Sequence, residues 1–155
     1  MVLLLIPLMV IFSAGGQMGW MWTIGTKLHP KLPEAASMNL TKLKICLVFP
    51  LICFVGFVFF IVGMFRPIVH DVPIVQMNFS LAFVLFPLEM VASFCMLYTF
   101  YFIGKELKAV ELQRPVGFSD FAGEFFLLWF YYIGIWILQP RINKLFDEHQ
   151  QYTIE

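Results

Sequence analysis

The chain has 155 residues, 61% apolar, 18% aromatic and 13% charged, and its ten lysines and arginines balance ten aspartates and glutamates. A water-facing surface needs more charge than that, since soluble domains run at roughly 45–50% apolar and about 25% charged, so lipid is the expected solvent. Zero net charge with no long block of like charges argues against nucleic-acid binding.

A bilayer core of about 30 Å takes about 20 helical residues to cross, and four apolar stretches come up to that length. The expected fold is an all-α integral membrane protein, one transmembrane domain built as a bundle of four transmembrane helices with short loops. The first span, 1–23, opens with the aliphatic run MVLLLIPLMVIF and ends at Trp20 and Trp22, aromatics that favour the headgroup level. With no basic n-region before the run and no small-x-small cleavage site after it, this stretch reads as a retained helix and not as a signal peptide. Its second half is rich in small residues. Gly15 and Gly19 form a GxxxG spacing that lets helices approach closely, expected here to serve packing within the chain, with Gln17 adding a hydrogen-bonding group.

Residues 24–44 are a polar loop with Pro30, Pro33 and four lysines, and its last part, SMNLTKLK, is expected to form a short surface helix. The second span, 45–65, contains no charged residue; Pro50 lies inside it, where neighbouring groups can satisfy the freed carbonyl. A second loop, 66–80, holds Pro67 and Pro73 around His70 and Asp71, and the prolines break helix continuity. The third span, 81–104, carries Pro87 and Glu89 and then an aromatic end at Tyr98, Phe100, Tyr101 and Phe102.

The following KELKAVELQR continues the helix, with Lys108 and Glu111, and Glu111 and Arg114, at i,i+3 spacing worth a few tenths of a kcal/mol. Pro115 stops it, and Gly117, Ser119 and Asp120 supply turn and N-cap chemistry for the next helix. That last segment has an uninterrupted apolar run of 125–138 only, a length that also fits a re-entrant or interfacial piece. Extended to 121–146, with the polar ends snorkelling to the interfaces, it is expected to form the fourth span. The cysteines Cys46, Cys53 and Cys95 lie inside apolar segments without metal-type spacing and read as small apolar fillers.

Lys27, Lys31, Lys42, Lys44, Lys105, Lys108 and Arg114 fall in the first and third loops, seven against the three on the other side, Arg66, Arg141 and Lys144. The positive-inside rule then makes loops 24–44 and 105–120 cytoplasmic and puts both termini outside. A re-entrant fourth segment would move the tail to the cytoplasmic side and change the balance to nine against one.

Glu89 sits roughly ten residues, about 15 Å, into the third span, near the midplane. An ionised carboxylate there costs at least a few kcal/mol, so it is expected to be protonated, paired or facing a wet cavity. Its functional reading is a proton or cation site and its bland reading a neutral carboxyl bonded to a neighbouring helix. Partners are scarce in the chain: Gln17 lies toward the cytoplasmic side and Arg141 toward the outer interface, about half a membrane away.

Glu124, with Asp120 one turn before it, is expected to complement the positive end of the fourth helix's dipole. Arg141 and Lys144 are expected to meet the carbonyl end of that helix and the headgroups, and Gln139, like Glu89, Gln17, Glu124 and Arg141, is an intramembrane polar candidate. His70 and Asp71 with Asp147, Glu148 and His149 share a predicted side, but no spacing supports a metal site, and no metal or cofactor is expected. There is no nucleophile elbow, phosphate loop, HExxH or paired CxxC.

Two stretches, KLPEAASMNLTKLK and VELQRPVGFSDFAGEFFLLWFYYIGIWILQPRINKLF, resemble a family of small uncharacterised inner-membrane proteins of Bacteroidota. The likeness covers about a third of the chain and is sharpest at SDFAGEFFLLWF and LQPRIN. It implies a bacterial inner membrane and no activity, and transfers no functional residues. The expected role is a non-enzymatic membrane component, an accessory or assembly subunit packing against another membrane protein or copies of itself. The competing readings are a homo-oligomeric channel or proton-coupled carrier using Glu89, and a membrane-embedded lipid-acting enzyme.

Overall fold

A computed structural model describes residues 2–36, 38–69 and 79–151, all of whose regular elements are helical. Helix α1 spans Val2–Leu28, and two single-turn 3-10 helices follow at His29–Lys31 and Glu34–Ala36. Three longer or paired elements come next: α2 at Leu40–Val69, α3 at Phe79–Leu112, and then α4 at Phe118–Trp129 and α5 at Tyr131–Gln151. Helices α1 and α2 overlap the apolar stretches 1–23 and 45–65 but extend beyond them, joining pieces that the sequence separates. The SMNLTKLK stretch forms no surface helix of its own: α2 begins at Leu40, and Asn39 caps it by accepting the backbone N–H of Thr41 at 3.0 Å. At its other end α2 continues through Pro67 to Val69, and the rest of the second loop, with His70 and Asp71, lies outside the described residues.

Among the described residues, two helices are long and apolar enough to cross a membrane, over Leu40–Gly63 and Leu81–Leu112. Both expose many of their large apolar residues. In the first half of α3, Phe83 is 82% exposed and Phe86 71%, while in α2 Ile52, Phe59 and Ile45 are also exposed.

The chain divides into two compact units. The first comprises Met1–Trp22 with Lys44–Tyr98, and the second Thr23–Leu43 with Thr99–Glu155. In the first unit, Lys44 lies over the Trp22 ring, 5.6 Å from its centroid. Gly15, Gly16 and Gly19 correct the packing expectation, because a Cβ built on any of them meets nothing within 4 Å. The GxxxG face is thus not a close helix contact within the described chain.

The second unit has a proper interior. Phe102, Ile103, Leu107, Ala109 and Val110 from α3 and Phe121 and Leu128 from α4 are buried. Ala36, Ala109, Val116 and Phe121 pack together, flanked by Leu32 and Phe125. Glycine sits where this interior requires backbone approach: a Cβ on Gly104 would come within 3.3 Å of the Phe121 ring and 3.4 Å of the Phe125 nitrogen. Around that crossing Tyr101 meets Phe121 edge-on at 5.2 Å and Phe118 in a stack at 6.5 Å.

The fourth span departs most from expectation. Instead of one helix over 121–146, α4 ends at Phe130 (φ −89°, ψ 61°) and α5 starts at the next residue. The two helices then pack against each other as a hairpin. At 1.5 Å per residue, α4 with its 12 residues is about 18 Å long, too short to cross a bilayer core of about 30 Å. Gly134 makes the turn feasible, since a side chain there would overlap the Leu127 carbonyl, while its N–H donates to the Phe130 carbonyl at 2.8 Å.

Candidate functional site

The hairpin gathers charge that the sequence scatters. Arg141 on α5 places Nη2 2.9 Å from Glu124 Oε1 on α4, and 3.0 and 2.9 Å from the two carboxyl oxygens of Glu111 on α3. Lys108, one turn before Glu111, donates to Glu111 Oε2 at 2.7 Å and lies 3.6 Å from Glu124 Oε1. Two cations and two carboxylates therefore neutralise one another, with Glu124 6% exposed.

This arrangement corrects two expectations. Glu124 lies in the second turn of α4, buried and ion-paired, and does not act as a helix-dipole charge. Asp120 alone does the N-terminal work, accepting the Gly117 N–H at 3.0 Å. Arg141 is not a headgroup anchor far from Glu124. In a continuous helix the two residues, 17 apart, would sit about 25 Å from each other at 1.5 Å per residue; the turn at Phe130 brings their side chains into contact. Of the two expected pairs on α3, Lys108 with Glu111 forms, whereas Arg114 turns to Asp120 at 3.8 Å. Gln139 points along its own helix and donates to Asn143 Oδ1 at 3.1 Å.

A second polar group lies in the same unit and has no counterpart in the sequence reading. Glu106, on α3, is fully buried. Its Oε1 is 3.2 Å from Nδ1 of His29, whose side chain is 30% exposed, and its Oε2 has no hydrogen-bond partner among the described residues. The first 3-10 turn holds His29 in place. Its neighbour Lys31 donates to the Leu145 carbonyl at 3.1 Å and lies 4.0 Å over the Phe146 ring, tying the turn to the end of α5. Burial pushes the Lys31 ammonium below its ordinary pKa.

Residues separated by 77 positions, as His29 and Glu106 are, give no local spacing from which to read a pair. The nearest sequence clue is negative: Glu106 falls on the same face of α3 as Phe102, Ile103, Val110 and Ala109, all buried, in a stretch that reads as solvated because charges surround it.

Glu89 and Gln17 belong to the first unit and are not brought to these clusters' unit. Glu89 has one carboxyl oxygen, Oε1, that is buried without a hydrogen-bond partner among the described residues, and Cys53 of α2 is an electrostatic neighbour. Its backbone carbonyl accepts the Ser93 hydroxyl at 2.9 Å. Gln17 is half-buried on α1. None of the three cysteines is in a disulfide. Among the described residues no three His, Cys, Asp or Glu side chains converge as a metal site would require.

Comparisons with protein families, with curated proteins and with solved structures find no match for this chain.

Proposed function

We propose that this protein is a non-enzymatic component of a bacterial inner membrane, an accessory or assembly subunit whose exposed apolar helices pack against another membrane protein. One observation carries the reading. The four charges of Arg141, Lys108, Glu111 and Glu124 are consumed by each other within 3.6 Å, so the largest polar cluster works as a clamp on α4 and α5 and not as a reactive site. Meanwhile Phe83, Phe86 and Phe94 on α3 and Phe12 on α1 are 65–84% exposed, and side chains of that size need lipid or protein around them.

The topology proposed with it is three crossings, by α1, α2 and α3, followed by a cytoplasmic hairpin of α4 and α5. Helix α3 has 34 residues, about 51 Å at 1.5 Å per residue, which exceeds a core of about 30 Å and carries its charged end past the hydrocarbon. In this topology the tail shares the side of loops 24–44 and 105–117, and nine of the ten lysines and arginines then lie inside, with Arg66 alone outside.

Purification in mild detergent tests the role. A defined partner at fixed stoichiometry, lost when Phe83 and Phe86 are both changed to Ser, supports it. A lone monomer with a measurable activity of its own overturns it. The buried Oε1 of Glu89, without a hydrogen-bond partner among the described residues, favours a second reading, a homo-oligomeric channel or proton-coupled carrier. Glu89→Gln leaving liposome flux unchanged removes that residue from such a mechanism.

A further inference from the structure

We infer that His29 and Glu106 form a proton-exchange site, in which the half-exposed imidazole passes protons between the protein surface and the buried carboxyl. The Glu106 side chain is 0% exposed, so water does not reach it directly. Among the described residues its hydrogen-bond partner is His29 Nδ1 at 3.2 Å, on a ring that keeps 30% of its surface open.

Imidazole is built for such transfer because it accepts a proton at one nitrogen while releasing one from the other. A proton arriving at Nε2 gives the imidazolium; the Nδ1 proton then passes to Glu106 Oε1. The imidazole is left neutral with its proton on Nε2, and the reverse path restores the starting state. No bond other than N–H and O–H is made or broken.

The surroundings isolate the pair. The neighbouring charges on α3 are engaged elsewhere, Lys105 over the Tyr101 ring at 5.9 Å and Lys108 with Glu111 and Glu124. From the 3-10 turn, Lys31 is held by Leu145 and Phe146. From α1 the group facing Glu106 Oε2 is Gly25, whose Cβ position lies 3.7 Å from that oxygen, and from α2 it is the Leu43 side chain packed on Gly25. Neither Lys27 of α1 nor Lys42 and Lys44 of α2 forms an ion pair with it. On α4, Glu124 is turned to Arg141. Low polarity around a lone carboxyl is what lets it hold a proton that a surface carboxyl would lose.

The test is infrared spectroscopy of the full chain in liposomes. In the wild type a protonated-carboxyl band that is missing in Glu106→Gln should grow in as the pH falls from about 8 to about 4, where an ordinary glutamate begins to protonate. On transfer to heavy water that band should shift rapidly. In His29→Asn, whose amide keeps a donor near the Nδ1 position but cannot relay, the shift should slow by about 100-fold, the lower range of what a positioned proton-transfer group contributes. A band insensitive to Glu106→Gln, or an equally fast shift in His29→Asn, overturns the inference. Should His29→Asn fail to fold, the wild type decides. Carboxyl exchange much faster than that of the slowest backbone amides supports the relay, and exchange at the amide rate overturns it.

Discussion

Helix α3 is one continuous helix living under two regimes. In residues 81–98 most of the large side chains are exposed, Phe83 82% and Phe94 65%, whereas in residues 99–112 Phe102, Ile103 and Leu107 are each 1% exposed beside the buried Thr99 and Glu106. The outward half has Glu89 as its one charged residue; the inward half carries Lys105, Glu106, Lys108 and Glu111. Composition alone inverts what a reader of soluble proteins expects, since here the apolar stretch is bare and the charged stretch is packed. The first half is stabilised by whatever surrounds the protein, and the second by its own chain.

The comparison breaks most sharply at Arg141. Changing Arg141 to Met leaves Glu124 buried beside Glu111 with only Lys108 to balance them, and removal of one partner from a buried ion pair costs about 3–5 kcal/mol. Since Arg141 is one-third exposed, a loss of about 3 kcal/mol is expected, read as an earlier midpoint when the purified protein is unfolded by increasing fractions of denaturing detergent. Gly134→Ala comes next. Its methyl overlaps the Leu127 carbonyl, which is backbone and cannot swing aside, and overpacking of this kind costs about 1–3 kcal/mol. The smallest effect belongs to the outward half of the molecule: Gly15→Ala and Gly19→Ala add methyls that meet nothing, so the same unfolding midpoint should move by less than about 0.5 kcal/mol. A large loss there would show that the GxxxG face is packed after all.

These sites also show what the sequence makes legible. The long helices α2 and α3 follow from uninterrupted hydropathy, and the stop near Pro115 and the Asp120 cap follow from local residue chemistry. The break at Phe130 does not, because it falls in the run Trp129, Phe130, Tyr131, Tyr132 with neither glycine nor proline at the bend. Its one trace is Gly134, four residues later, whose need for a bare Cα appears only once Leu127 is folded back against it.

The candidate residues fared according to range. Glu124 and Arg141 were visible as costly charges, yet their pairing depends on the hairpin, and Glu111 joins from 30 residues away. Local rules gave Glu124 a helix-dipole role and Arg141 a headgroup role because each is sound for a residue at the end of a spanning helix. Gly15 and Gly19 erred the other way: the spacing states that close approach is feasible, and not what fills the space.

The central claim is that α4 and α5 fold back at Phe130, so that the tail returns to the side of loop 105–117. A reporter pair fused after Glu155, one member active only in the cytoplasm and the other only outside, measures this directly when compared with the same pair inserted at Gly117. Cytoplasmic activity at both positions is the predicted result. A cytoplasmic loop with an external tail would mean that residues 121–146 cross the bilayer, separating Arg141 from Glu124 and contradicting the hairpin.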